Sequence, residues 1–155
     1  MNYDRIARQP APPQSAVSAL CFSAIEDDHA QLGEIFSHSN WNLYHASNLA
    51  EALTLLRARE VAVVIASDLP PGMNWGEFME LLRVGSPSPR IVAALRFSET
   101  SRWSDALQRG VFDVLAKPFD AREVFQVAGF AWMQWQRETE RKHQASRMRV
   151  LRASA

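Results

Sequence analysis

The stretch 61-VAVVIASDLPPG-72 decides the architecture. Val61 through Ala66 are apolar without the alternation of a half-exposed strand, which is the pattern of a strand covered on both faces. Asp68, Pro70, Pro71 and Gly72 then end the run with turn-forming residues. Four more short apolar runs lie on either side of it: 17-VSALCFSA-24, 41-WNLYHA-46, 90-RIVAAL-95 and 111-VFDVLA-116. Between the runs, apolar residues recur three or four apart, as helices require. Leu32, Ile35 and Phe36 mark a first helix, and Leu49, Leu53 and Leu56 a second. Phe78, Leu81 and Leu82 mark a third that stops at Gly85, and Trp103, Ala106 and Leu107 a fourth that stops at Gly110. Asn48 is the expected N-cap of the second helix, and Ser98 or Ser101 that of the fourth. Strands alternating with helices imply right-handed parallel crossovers, hence a five-stranded parallel sheet, doubly wound, with helices on both faces.

The 155 residues suit one domain, with 47% apolar and 22% charged side chains. Lys and Arg number 17 and Asp and Glu 17, so no global charge draws the chain to nucleic acid or an anionic membrane. Cys21 stands alone, which excludes an internal disulfide framework and a cysteine-rich zinc module. Asp4, Arg5 and Arg8 interrupt the N-terminus where a signal peptide needs an apolar run. No apolar stretch approaches the roughly 20 residues of a membrane helix. A cytoplasmic location is the expectation. Residues 1–15 hold Pro10, Pro12 and Pro13 without apolar periodicity and read as a loosely attached arm.

In a doubly wound sheet, ligands sit at the carboxyl ends of the strands. The stretches to inspect are 23-SAIEDD-28, 66-ASDLPPG-72, 95-LRFSE-99 and 116-AKPF-119. Taken in that order, with 110-GVFDVLAKPF-119 as the most specific piece, they resemble the CheY-like receiver domain of bacterial response regulators. The resemblance covers about residues 17 to 135. It implies the (βα)5 flavodoxin-like fold for a receiver-like domain over 16–136, and the charge pattern adds a basic helical extension over 137–155. It also implies a two-component phosphorelay role. In that family, acidic residues ending the first strand hold Mg²⁺, and an Asp ending the third takes a phosphoryl group from a histidine kinase. A Lys pairs with the phosphoryl oxygens. A hydroxyl ending the fourth strand and an aromatic on the fifth rearrange in response. The resemblance further suggests a cis peptide between Lys117 and Pro118.

Only Lys117 and Pro118 match that pattern cleanly. Counted without gaps from Pro71, Ser67 takes the phosphoacceptor position, whereas a one-residue deletion in the loop places Asp68 there. Ser23 and Ala24 stand near the acidic pair's place, with Glu26, Asp27 and Asp28 slightly later, in the first helical turn. These three are the metal candidates, since carboxylates suit a hard cation such as Mg²⁺. Their alternative role is to open a helix whose dipole favours negative charge. Leu95 or Arg96 replaces the switch hydroxyl and Val114 the switch aromatic. Without a phosphoryl partner, Lys117 would pair with one of the carboxylates and lock the pocket shut. The expected protein is a stand-alone pseudo-receiver acting by protein–protein contact, with no cofactor. The alternative is a working single-domain regulator that uses Asp68 and Mg²⁺.

His29, His38, His45 and His143 lack ligand spacing and are expected at the surface or its boundary. There is no Gly-rich phosphate loop or nucleophile elbow, so enzyme activity is not expected. From Asp120 to about Arg152 no proline occurs, and a helix through the segment would run about 48 Å. Its first half is apolar over a wide arc. Phe130 and Met133, with Trp132 or Trp135, are expected to stay partly exposed and, with Trp103 on the fourth helix, to form a partner surface. The receiver resemblance implies as partner a second copy, in a homodimer through the fourth helix, fifth strand and fifth helix, or another signalling protein such as a histidine kinase. Beyond Trp135, Arg137, Arg141, Lys142, Arg147, Arg149 and Arg152 face Glu138 and Glu140. Nucleic-acid binding through this basic end is a third reading, but the segment has no base-reading motif and no aromatic interleaving.

Overall fold

The structure, a computed structural model, describes residues 17–85 and 87–154. The proposed arm over 1–15 lies outside them. In chain order the elements are β1 (Ser18–Phe22), α1 (Glu26–Ser37), β2 (Asn42–Ala46), α2 (Leu49–Ala58), β3 (Val63–Ser67) and α3 (Trp75–Leu81). There follow β4 (Arg90–Arg96), a 3₁₀ turn over Phe97–Glu99, α4 (Thr100–Gln108), β5 (Asp113–Lys117) and α5 (Ala121–Ala153). The five strands are parallel in the order β2-β1-β3-β4-β5. This is the doubly wound sheet expected from the run at Val61, and all five residues of β3 are buried.

Period-two alternation divides the core. Leu20, Phe22, Val64, Ala66, Ala93 and Leu95 point to one face, under Leu56 of α2, Phe78 of α3 and Ala106 of α4. Ala19, Cys21, Val63, Ile65, Val92, Ala94 and Leu115 point to the other, under Leu32 and Phe36 of α1 and Val124, Val127 and Ala128 of α5. Phe78 anchors the first face, its ring 5.0 Å from Phe22 and edge-on to Trp75. A fully buried Phe contributes about 1.5–3 kcal/mol relative to exposure.

Several helix ends follow local chemistry. The Asn48 and Asn74 side chains accept hydrogen bonds from the backbone N–H groups of Glu51 and Glu77, capping α2 and α3. Gly110 stands just past α4 at φ +100°, a left-handed conformation that favours glycine. Neither Ser98 nor Ser101 caps α4. The 3₁₀ turn runs into it, and Glu99 occupies the N-cap without a side-chain bond. The third helix also ends earlier than expected, at Leu81, with Gly85 beyond it.

α5 is one continuous helix of 33 residues, about 50 Å long. Asp120 caps it by accepting from the N–H of Glu123. Its first half covers the sheet, and Arg90 of β4 ties to Glu138 through an ion pair. Trp135, expected among the partly exposed aromatics, is instead buried, with its indole N–H donating to the Pro87 carbonyl at 3.3 Å. Phe130 and Met133 are exposed and Trp132 is half-buried. Among the described residues, no helix is long and apolar enough to cross a membrane.

Candidate functional site

Three strand ends set the site. Ser23 follows β1, Ser67 ends β3 and Lys117 ends β5, and each continues the alternation that points toward α1 and α5. Asp28, in the first turn of α1, reaches down onto the same spot. The four form one polar cluster, in which Ser23, Asp28 and Ser67 are buried and Lys117 is half-buried. Lys117 Nζ donates to Asp28 Oδ2 at 3.1 Å, to Oδ1 at 3.3 Å and to Ser67 Oγ at 2.5 Å. Ser23 Oγ donates to Asp28 Oδ2 at 2.7 Å. Burial pushes the Asp28 carboxyl up. Hydrogen bonds from Ser23, Ser67 and Lys117, with the Lys117 charge, outweigh that and hold it below its ordinary range. One ammonium and one carboxylate cancel inside the cluster. Lys117–Pro118 is a cis peptide.

Asp68 stands outside this arrangement. Its φ of +56° lies in the left-handed region, which Asp tolerates better than most residues, and the residue is exposed. Ser67, which is 2% exposed, is the β3 residue beside the lysine. Of the three acidic metal candidates only Asp28 turns inward. Glu26 and Asp27 are exposed, and Asp27 accepts from the Gln31 amide at 2.6 Å. Mg²⁺ is held by one or two carboxylates plus waters, and the one candidate carboxylate that faces the cluster, Asp28, is paired with the Lys117 ammonium. Leu95 and Val114 are buried, apolar members of the core, with no group able to change partners.

Sequence reasoning missed three features. Ser23 is the hydroxyl that completes Asp28's bonding, which only the bend after β1 brings into reach. Phe97 is 73% exposed and stacks on Trp103, their ring centres 5.6 Å apart, while the Trp103 indole donates to the Arg96 carbonyl. His29 and His45 stand with their Nδ1 atoms 2.9 Å apart beside Cys21. The proximity of His45 to His29 follows from the pairing of β2 with β1, which sequence spacing does not reveal. Burial and the His29 charge both lower the His45 pKa, with Glu26 opposing them. Burial, with the Asp28 charge, pushes the Cys21 thiol up to about 12, against a smaller opposing effect of Lys117.

No family model matches the chain. Its structure superposes on the signal receiver domain of an HD domain-containing protein from Pseudomonas fluorescens Pf-5 with a TM-score of 0.71. That match covers 85% of this chain and 98% of the other at 23% identity. The chain has the receiver fold. In sequence, the receiver-like chain is 31% identical over 102 residues to the response regulator protein FleR of Pseudomonas aeruginosa, covering 63% of itself. It spans only 21% of the FleR length. It is 24% identical over 93 residues to sporulation initiation phosphotransferase F of Bacillus subtilis, covering 60% of itself and 75% of that protein. The receiver resemblance read from the Lys-Pro segment and the four strand ends therefore holds for both sequence and fold.

Proposed function

We propose that this chain is a receiver-like module of bacterial signalling that acts by protein–protein contact, without conventional aspartyl phosphorylation. The observation that carries the reading is the buried contact of Lys117 with Ser67 and Asp28. The lysine that would meet a phosphoryl group is already neutralised, and the β3 residue beside it carries a hydroxyl. A serine hydroxyl needs a base to become a nucleophile. Asp28 accepts from Ser23 and Lys117, but it is an ionised carboxylate held below its ordinary range and thus a weak base. The pocket works as a fixed structural element that sets the loops after β1, β3 and β5 in one arrangement.

The working surface is then outside the pocket. Phe97, Leu107, Phe130 and Met133 are exposed at 73%, 48%, 54% and 41%, and they lie on the 3₁₀ turn, α4 and α5. Large exposed apolar side chains of this kind mark partner surfaces. The partner is a second copy of the chain or another signalling protein such as a histidine kinase.

Intact-mass spectrometry after incubation with Mg²⁺ and acetyl phosphate tests the reading, with Asp68→Asn beside it. The expected result is no phosphate adduct on folded protein. A labile adduct that disappears in Asp68→Asn would establish aspartyl phosphorylation and overturn the proposal.

A further inference from the structure

Cys21 and His45 are register partners in the parallel pair β1 and β2. Side chains of paired residues leave a sheet on the same face, here the face covered by α1. His29, on the first turns of that helix, closes over them. One ligand atom from each of the three lies within 4.8 Å of the others. Their burial is graded: Cys21 is buried, His29 half-buried and His45 exposed, so an ion can enter from the β2 edge.

The hydrogen bonding of His29 is a second, independent observation. One of its ring nitrogens, Nε2, lies 2.8 Å from the Ser23 carbonyl oxygen. A carbonyl only accepts, so Nε2 carries a proton, which leaves Nδ1 as the ring nitrogen able to present a lone pair. That lone pair faces the His45 ring. Histidines that hold metals almost always donate the other ring N–H to a carbonyl or carboxylate, which fixes tautomer and orientation. His29 already has that arrangement.

We propose that Cys21, His29 and His45 form a zinc site, with the Cys21 sulfur, His29 Nδ1 and a ring nitrogen of His45 as ligands and solvent in the fourth position. One thiolate and two imidazoles suit a borderline-soft d¹⁰ ion, whereas Mg²⁺ and Ca²⁺ take oxygen ligands. On binding, the Cys21 thiol releases its proton to solvent. His45 carries its proton on the nitrogen that does not ligate. No redox change or co-reactant is involved. The site adjoins the buried cluster through Ser23, whose carbonyl holds His29 and whose hydroxyl holds Asp28. An ion here would tie α1 to the edge of the sheet beside the loops that shape the pocket.

Calorimetric titration of the chelator-treated full chain with Zn²⁺ tests the site, with Co²⁺ absorption as the second readout. The expected result is one Zn²⁺ per chain, unaffected by excess Mg²⁺, and a thiolate-to-cobalt charge-transfer band with Co²⁺. His45→Ala, at an exposed edge position, should fold normally and weaken Zn²⁺ binding at least about tenfold. The cobalt band should be absent in Cys21→Ser, while His38→Ala should behave as the wild type. No zinc binding, equal affinity in His45→Ala, or binding without a thiolate band in the wild type would overturn the proposal.

Discussion

Lys117 and Asp28 hold opposite charges in a place where neither can be left alone. Removing one partner of a buried ion pair typically destabilises by about 3–5 kcal/mol, because the remaining charge stays buried without compensation. Lys117→Met should therefore lower stability by about 3 kcal/mol in urea denaturation. Lys117→Met combined with Asp28→Asn should recover much of the loss, since no uncompensated charge remains; additive losses would mean that the two do not act as a pair. The pH dependence follows from the lowered Asp28 carboxyl. A carboxyl whose folded value lies below its unfolded value contributes fully above the unfolded one, about 3.9, and loses that contribution as pH falls through the folded value. The stability difference between wild type and Asp28→Asn should be constant near neutrality and shrink below about pH 4. A constant difference down to strong acid would remove the ion pair from the account. At this scale the sequence was legible in part. The Lys-Pro pair located the pocket, because few residue pairs are so specific in context. Which neighbour faces Lys117 was not legible, since Ser67 and Asp68 differ by one residue and only the alternation of β3 separates inward from outward. The pairing of Cys21 and His45 was hidden for a related reason: it depends on register between two strands, and parallel register has no local sequence signature.

At the level of elements, the two hydrophobic periods carried most of the fold. The unbroken apolar run of β3, the three-and-four spacing of α1 and α2 and the wide apolar arc of α5 reflect burial directly, so the residue order alone displays them. The start of α4 is different, because backbone geometry places a 3₁₀ turn there instead of a serine cap. The burial of Trp135 was also illegible, as it depends on the Pro87 carbonyl 48 residues away. The far half of α5 tests how much of an element its own sequence supports. Residues 140–154 are exposed throughout, beyond the Arg90–Glu138 pair. Isolated helices shorter than about 12–15 residues are marginal in water, so this end is held by continuity with the packed half. Truncation after Thr139 removes no core contact and should change unfolding stability by no more than about 0.5 kcal/mol. Hydrogen exchange should fall from well protected amides at Val124 to Ala131 to weak protection beyond Arg141. Strong protection out to Met148 in dilute protein would show that something covers the far end.

For the whole molecule, the question is what meets the exposed apolar residues. The chain is neutral overall, yet the segment from Arg137 carries six cationic side chains against Glu138 and Glu140, so the remainder carries the matching acidic excess. Two kinds of association follow from this distribution, and salt separates them. Contact through the basic end is screened as ionic strength rises, because the Debye length is only about 8 Å at 0.15 M. Contact through Phe130 and Met133 buries apolar surface and persists. Under the proposed self-association, sedimentation velocity should show a concentration-dependent dimer that survives 0.5 M salt, on the order of three times physiological strength. Phe130→Ser with Met133→Ser should shift it to monomer. Both side chains are about half exposed, so the urea midpoint should move little while the association is lost. A monomer at every concentration would remove the second copy as partner and leave a different signalling protein as the occupant of this face. A dimer that dissolves in salt but ignores the double substitution would assign the contact to the basic end of α5 instead.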